Sequence, residues 1–234
     1  MRKVFILLLA VIPSLLNAQK VITDPNAEVR NIGSFHAIKV SDAIDIYLSQ
    51  ADNEALAVSA IKPEFRDRIK ATVENGVLIL TYESKNRDWR TSKKLKAYIS
   101  FKTIDKITAS GASDVYVDGV LRGAQLTLDL SGASDLKGKV EVSTLAATMS
   151  GASDVTITGS AGSLSIHSSG ASDFKGYEFV AEKVSIDASG ASDVKITVNK
   201  ELSANVSGAS DVTYKGSGVI RDIKTSGASS VKRG

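Results

Sequence analysis

Apolar residues recur at every second position on either side of a five-residue polar word, and the arrangement repeats through the C-terminal part of the chain. The word is Ser-Gly-Ala-Ser-Asp. It begins at residues 110, 131, 150, 169, 189, 207 and 226, at spacings of 21, 19, 19, 20, 18 and 19, and its seventh copy ends in Ser230 instead of Asp. Three residues before each word stand Ile107, Leu128, Ala147, Ile166, Ile186, Ala204 and Ile223. One residue before stand Ala109, Leu130, Met149, Ser168, Ala188, Val206 and Thr225. Directly after stand Val115, Leu136, Val155, Phe174, Val194, Val212 and Val231. Period-two alternation on both flanks predicts at least two short strands per repeat. Gly-rich spacers such as 158–163 (TGSAGS) supply a second turn.

A coil of about 19 residues cannot enclose a core alone, but stacked coils can. Each strand then pairs in parallel with its copy one coil away, ~4.8 Å along the axis. The expected fold is therefore all-β, a parallel β-helix or solenoid, right-handed by the crossover rule. Taking the residue before the word as inward, uninterrupted alternation turns the glycines and the second serines in. It turns the first serine, the alanine and the aspartate out. Gly111, Gly132, Gly151, Gly170, Gly190, Gly208 and Gly227 are read as a repeated structural corner, where the backbone bends and a side chain would crowd. The inward serines, Ser113 to Ser229, are expected to hydrogen-bond in a column or to corner carbonyls.

The outward aspartates carry the candidate chemistry. Asp114, Asp135, Asp154, Asp173, Asp193 and Asp211 form a row one coil apart. At ~4.8 Å, neighbouring charges repel by roughly 0.9 kcal/mol in bulk water and about 3.5 kcal/mol at an effective dielectric near 20. Three things can offset that: backbone N–H donors at the corner, lysines two residues on (Lys137, Lys175, Lys195), or bridging cations. Ca²⁺ suits the last role because it accepts oxygen ligands flexibly. The row is thus a candidate ligand or cation site, while turn chemistry alone already accounts for Gly, Ser and Asp. A neighbouring outward column (Thr108, Asp129, Thr148, His167, Asp187, Asn205, Lys224) is chemically mixed, as a solvated face is.

Charge and composition narrow the classes. Residues 1–18 read as a secretory signal: Arg2 and Lys3, an apolar run from Val4 to Leu16, and a small-residue end at Ala18. Without them the chain has 27 basic against 26 acidic residues, a net charge of +1 instead of +3, so nothing points to nucleic acid. No later stretch is long and apolar enough for a transmembrane helix. With no cysteine there is no disulfide, thiolate metal site or lipid-bearing Cys. The chain is expected to be exported, to the periplasm, the outer surface or the medium. Its expected parts are a signal at 1–18, a linker at 19–30 and one solenoid domain at 31–234, with irregular coils over 31–103 and regular ones over 104–234.

In the irregular part, residues 40–48 (VSDAIDIYL) look like a degenerate copy of the repeat, with Asp45 in the place of the repeated Asp. Residues 77–82, following Asn75-Gly76, and 94–101 read as strands. Residues 63–70 (PEFRDRIK) read as a short helix, since Pro suits a first helical position. The charged stretch 83–94 reads as a loop, with its lone Trp89 folded back onto the rod.

The succession NIGSFHAIKVSDAIDIYLSQ, ALAVSA, VENGVLILTY and TIDKITASGASDV, followed by recurring SGASD words, resembles the putative auto-transporter adhesin head GIN domain family over roughly residues 30–230. The resemblance implies a three-sided right-handed parallel β-helix in an envelope or surface protein of the kind common in Bacteroidetes, and no catalytic signature. No run of alternating ~10-residue membrane strands follows the repeats, so the family's name does not imply a secretion route here. The expected function is a non-enzymatic binding or scaffold module with glycan or surface protein as partner and no cofactor. The alternative is a polysaccharide lyase or hydrolase, which needs acids converging in one groove. His36 and His167 are too few and too far apart in sequence to suggest a dyad. The last coil, with Ser230 and Lys232-Arg233, reads as a cap on the exposed edge.

Overall fold

The computed structural model describes residues 24–84 and 92–234. The expected signal peptide and Trp89 lie outside these residues. The chain forms one parallel β-solenoid of about seven coils, each of about 19 residues. Its regular part consists of five long strands: β9 (Val115–Leu130), β10 (Leu136–Met149), β11 (Val155–Ser168), β12 (Phe174–Ala188) and β13 (Asp193–Val206). The last coil and a half comprise β14 (Asp211–Lys215), β15 (Val219–Thr225) and β16 (Ser230–Arg233). Neighbours pair in parallel and in register, Leu136 with Val155 and Met149 with Ser168, for example.

Two short strands per repeat were expected; each regular coil is instead one long bent strand. Residues of the Gly-rich spacer, Thr158 to Ala161, stay paired with Lys139 to Val142 of the coil below. Each of these five strands runs on through the spacer, although the pairing shifts register there between β9 and β10, β11 and β12, and β12 and β13. In the next coil residues 216–218 separate β14 from β15.

Inside, aliphatic side chains stack in the predicted columns. Leu126, Leu145, Leu164, Val184 and Leu202 are all buried, as are Val115, Leu136, Val155, Phe174, Val194 and Val212. The columns close a core too narrow for many aromatic rings, although Phe174 and Phe179 find room where the repeat carries an insertion and the register shifts between Gly176 and Val180.

The N-terminal part is more than irregular coils. Parallel strands β2 (Ala37–Val40), β3 (Ile44–Gln50), β7 (Leu95–Phe101) and β8 (Lys106–Ala109) continue the stack. Three antiparallel pairings are added by β1 (Glu28–Arg30), β4 (Ala55–Ser59), β5 (Ile69–Glu74) and β6 (Val77–Tyr82). Of these only β5 and β6 form a hairpin, turning at Asn75-Gly76; the other two pairings join strands distant in sequence. The expected helix is shorter than read. α1 covers Pro63–Arg66 only, because the chain turns at Asp67 to bury Ile69 as the first residue of β5. The strands read at 77–82 and 94–101 are present, as Val77–Tyr82 and Leu95–Phe101. Among the described residues no helix is long and apolar enough to cross a membrane.

Candidate functional site

The SGASD corner is where the sequence placed its candidate chemistry, and its geometry follows from stacking at the strand spacing. All seven glycines have φ between 74° and 82°, the left-handed region that suits glycine. They are exposed, not inward as uninterrupted alternation predicted. Gly and Ala both face out and the next Ser returns to the core. The left-handed turn accounts for the slip, since it breaks the two-residue period that extended backbone imposes. Close approach adds a second demand. From the second word upward, the alanine N–H of each corner donates to the glycine carbonyl one coil below, as from Ala152 to Gly132 at 2.7 Å. A Cβ on Gly151 would lie 2.5 Å from that same oxygen.

The second serine of each word completes the inner side. Ser113, Ser134, Ser153, Ser172, Ser192 and Ser210 are fully buried. The Ser153 hydroxyl donates to the Ser150 carbonyl at 3.0 Å, and the Ser153 N–H donates to the Ser172 hydroxyl of the coil above at 3.3 Å. Each hydroxyl therefore satisfies groups that a buried alanine would leave unpaired.

The aspartates work in the opposite direction along the axis. The N–H of Asp114 donates to a carboxylate oxygen of Asp45, that of Asp135 to Asp114, that of Asp154 to Asp135 and that of Asp173 to Asp154, each at 3.3 Å. Asp45 does stand in the place of a repeated Asp. The donors come from the neighbouring coil and not from the aspartate's own corner. The ladder stops at Asp173. Asp193 already belongs to a strand, and the N–H of Asp211 donates to the Ser192 carbonyl instead. At the top, the Ser230 hydroxyl donates to Asp211.

Charge is offset by lysine. Lys175 lies 2.6 Å from Asp154 and 3.3 Å from Asp173, and Lys137 lies 3.3 Å from Asp135. The hydrogen bond to Asp154, then that to Asp173, holds the Lys175 ammonium above its usual range. Lys195, expected to join them, makes no ion pair among the described residues. Asp45 differs from the rest, because burial pushes its carboxyl up and the neighbouring Asp114 charge adds to that. Among the described residues no group of three or more His, Cys, Asp or Glu side chains converges as a metal site would. His36 sits 3.2 Å from Asp105 and His167 3.6 Å from Asp187, so each histidine has its own exposed acidic neighbour.

Sequence reading missed a tyrosine stack. Tyr47 lies between Tyr98 and Tyr116, with ring centroids 5.2 and 5.1 Å apart. The Tyr116 hydroxyl donates to Asp114 at 3.0 Å. Burial, together with that bond, pushes its pKa up to about 12. The signal was present in part: Tyr47 and Tyr116 each stand two residues after a ladder aspartate. Tyr98 reaches the stack only through the pairing of β3 with β7.

Residues 34–218 match the family model described as "Putative auto-transporter adhesin, head GIN domain". The chain belongs to this family. Solved structures similar to this head GIN domain include a putative adhesin from Bacteroides fragilis NCTC 9343, with 23% identity, a TM-score of 0.82 and coverage of 88% of this chain and 95% of that one. A putative adhesin from Parabacteroides merdae ATCC 43184 has 17% identity, a TM-score of 0.69 and coverage of 89% and 95%. A structure from Parabacteroides distasonis ATCC 8503, described as a putative lipid binding protein, has 17% identity, a TM-score of 0.65 and coverage of 90% and 98%. At these identities the likeness concerns the fold of the head GIN domain. No curated protein matches the chain.

Proposed function

We propose that this head GIN domain is an exported, non-catalytic binding module of the cell envelope, presenting flat sheet faces to a glycan or to a protein on a surface. The observation that carries this reading is the inward and axial use of the corner's polar groups. Serine hydroxyls and ladder carboxylates bond to the next coil, which leaves rows of side chains along the strands for a partner. One such row, Thr127, Ala146, Ser165, Ser185 and Ser203, runs in register through five coils. Another runs Tyr116, Lys137, Thr156, Lys175 and Lys195. Flat rows of small and polar residues at a fixed spacing suit an extended partner better than a small substrate, which needs a concave site.

The test is adhesion of the purified chain to immobilised glycans and to intact cells, with reducing-end release from the same polysaccharides measured in parallel. Retention on a surface without product is the expected result. Sustained product release would replace this reading with that of a polysaccharide-active enzyme. Protease shaving of intact cells tests the surface location: loss of the protein from intact cells is expected if it faces outward.

A further inference from the structure

The repeat breaks at its lowest corner, and an open depression lies at the break. Ser41-Asp42-Ala43-Ile44-Asp45 occupies the place of an SGASD word. The Ile44 N–H donates to the Ser113 hydroxyl as the second serines do elsewhere, and Asp45 is the foot of the aspartate ladder. Where the other corners have glycine, this one has Asp42 at φ 65°, followed by Ala43 at φ 59°. Across from them Lys94 has φ 46°. Non-glycine residues in the left-handed region are uncommon, and clusters of them mark places where the fold tolerates strain for another purpose. These three residues line one depression of about 400 Å³, together with Asp45, Lys93 and Ala112.

The lining is chemically mixed in a specific way. One oxygen of Asp42 accepts the Ser41 hydroxyl at 2.9 Å and the Tyr82 N–H at 3.1 Å, which fixes that side chain. One oxygen of Asp45 takes the Asp114 N–H; the other makes no hydrogen bond among the described residues. The Lys93 ammonium lies 4.8 Å from the Tyr82 ring centroid, and Lys94 also lines the depression. A polyanion would meet two carboxylates here. A metal ion would meet a lining that includes two lysines and, among the described residues, no triad of ligands. A neutral polyol can use both kinds of group, since each hydroxyl both donates and accepts. The volume falls in the range of small-ligand sites, at its lower end.

We propose that this depression is a binding subsite for a neutral saccharide unit, with Asp42 and Asp45 accepting from sugar hydroxyls and Lys93 and Lys94 donating to them. The proposal deepens the reading of the domain as a binding module and rests on it.

The experiment is a titration of the ¹⁵N-labelled chain with millimolar lactose, maltose, cellobiose and chitobiose, read as amide shift changes. At least one sugar is expected to move Ala43, Asp45, Lys94, Leu95 and Ala112 while leaving the Thr127-to-Ser203 row still. Asp42→Gly and Lys94→Gly each suit the left-handed backbone and are expected to stay folded, with binding weakened about tenfold or more, as when a site loses a polar partner to a hydroxyl. Shifts confined to the flat rows would overturn this site and leave the binding-module reading standing. So would adhesion to cells with no response to any of the four sugars. Unchanged affinity in both variants would overturn the site as well.

Discussion

The carboxylate of Asp154 accepts the backbone N–H of Asp173, one coil above, at 3.3 Å, and its other oxygen receives the Lys175 ammonium at 2.6 Å. One side chain therefore serves a neighbour's backbone and a neighbour's charge. In the lower coils the carboxylates of Asp45, Asp114, Asp135 and Asp154 each supply an acceptor for the next coil's N–H, which offsets part of the repulsion along the row.

That division separates two substitutions. Asp154→Asn keeps an oxygen for the Asp173 N–H and relieves repulsion along the row, so its stability is expected within about 0.5 kcal/mol of the parent. Asp154→Ala leaves that N–H without its acceptor and is expected to cost about 1–3 kcal/mol. Urea unfolding of both variants is the measurement. Equal values would mean that the bond at 3.3 Å contributes nothing.

The glycine column makes a graded prediction. Gly151→Ala must adopt left-handed backbone and also place a Cβ 2.5 Å from the Gly132 carbonyl oxygen. Gly111→Ala meets nothing nearer than the Asp42 nitrogen at 3.5 Å. The lower variant should lose only the left-handed penalty, about 1–2 kcal/mol. The middle one should lose more than that, because two coils must separate. Thermal melts of the two would show whether close stacking, and not φ alone, demands glycine.

Asp45 gives a pH signature. Burial raises its carboxyl, so the folded state holds its proton to higher pH than the unfolded chain does. Stability from this group is full below the unfolded value, near 3.9, and declines as pH rises through the folded value. Asp45→Asn should therefore match the parent in acid and exceed it at neutral pH, the gap opening above about pH 4. Chemical denaturation across that range reads the difference. A gap of the opposite sign would mean the charged form is the favoured one.

Calcium is the remaining question about the row. Asp135 and Asp154 each accept a neighbouring N–H and pair with a lysine, an arrangement that needs no ion. Millimolar Ca²⁺ is expected to move the thermal midpoint no further than Mg²⁺ does. A ligand at a hundredfold excess over its dissociation constant would add about 2.7 kcal/mol. A calcium-selective rise, lost in the Asp154→Asn/Asp173→Asn double variant, would make the row a metal site.

The sequence by itself determined the repeat, the parallel stacking, the inward columns and the corner. Period-two alternation and a fixed spacing are local properties, and stacking only multiplies them. The burial of Leu145 or Val155 and the place of Asp45 follow from that reading. Only the tertiary structure decided what depends on the distance between coils. It turned the glycines outward and assigned the carboxylates of Asp45, Asp114, Asp135 and Asp154 to the N–H of the coil above. It also ended that ladder at Asp173, where the chain shifts from corner to strand one residue early. Tyr98 joined Tyr47, and Lys94 came to face Asp42, through pairings of strands about fifty residues apart in sequence. Periodicity carries no information about such pairings, because they join strands far apart in sequence at no repeated spacing.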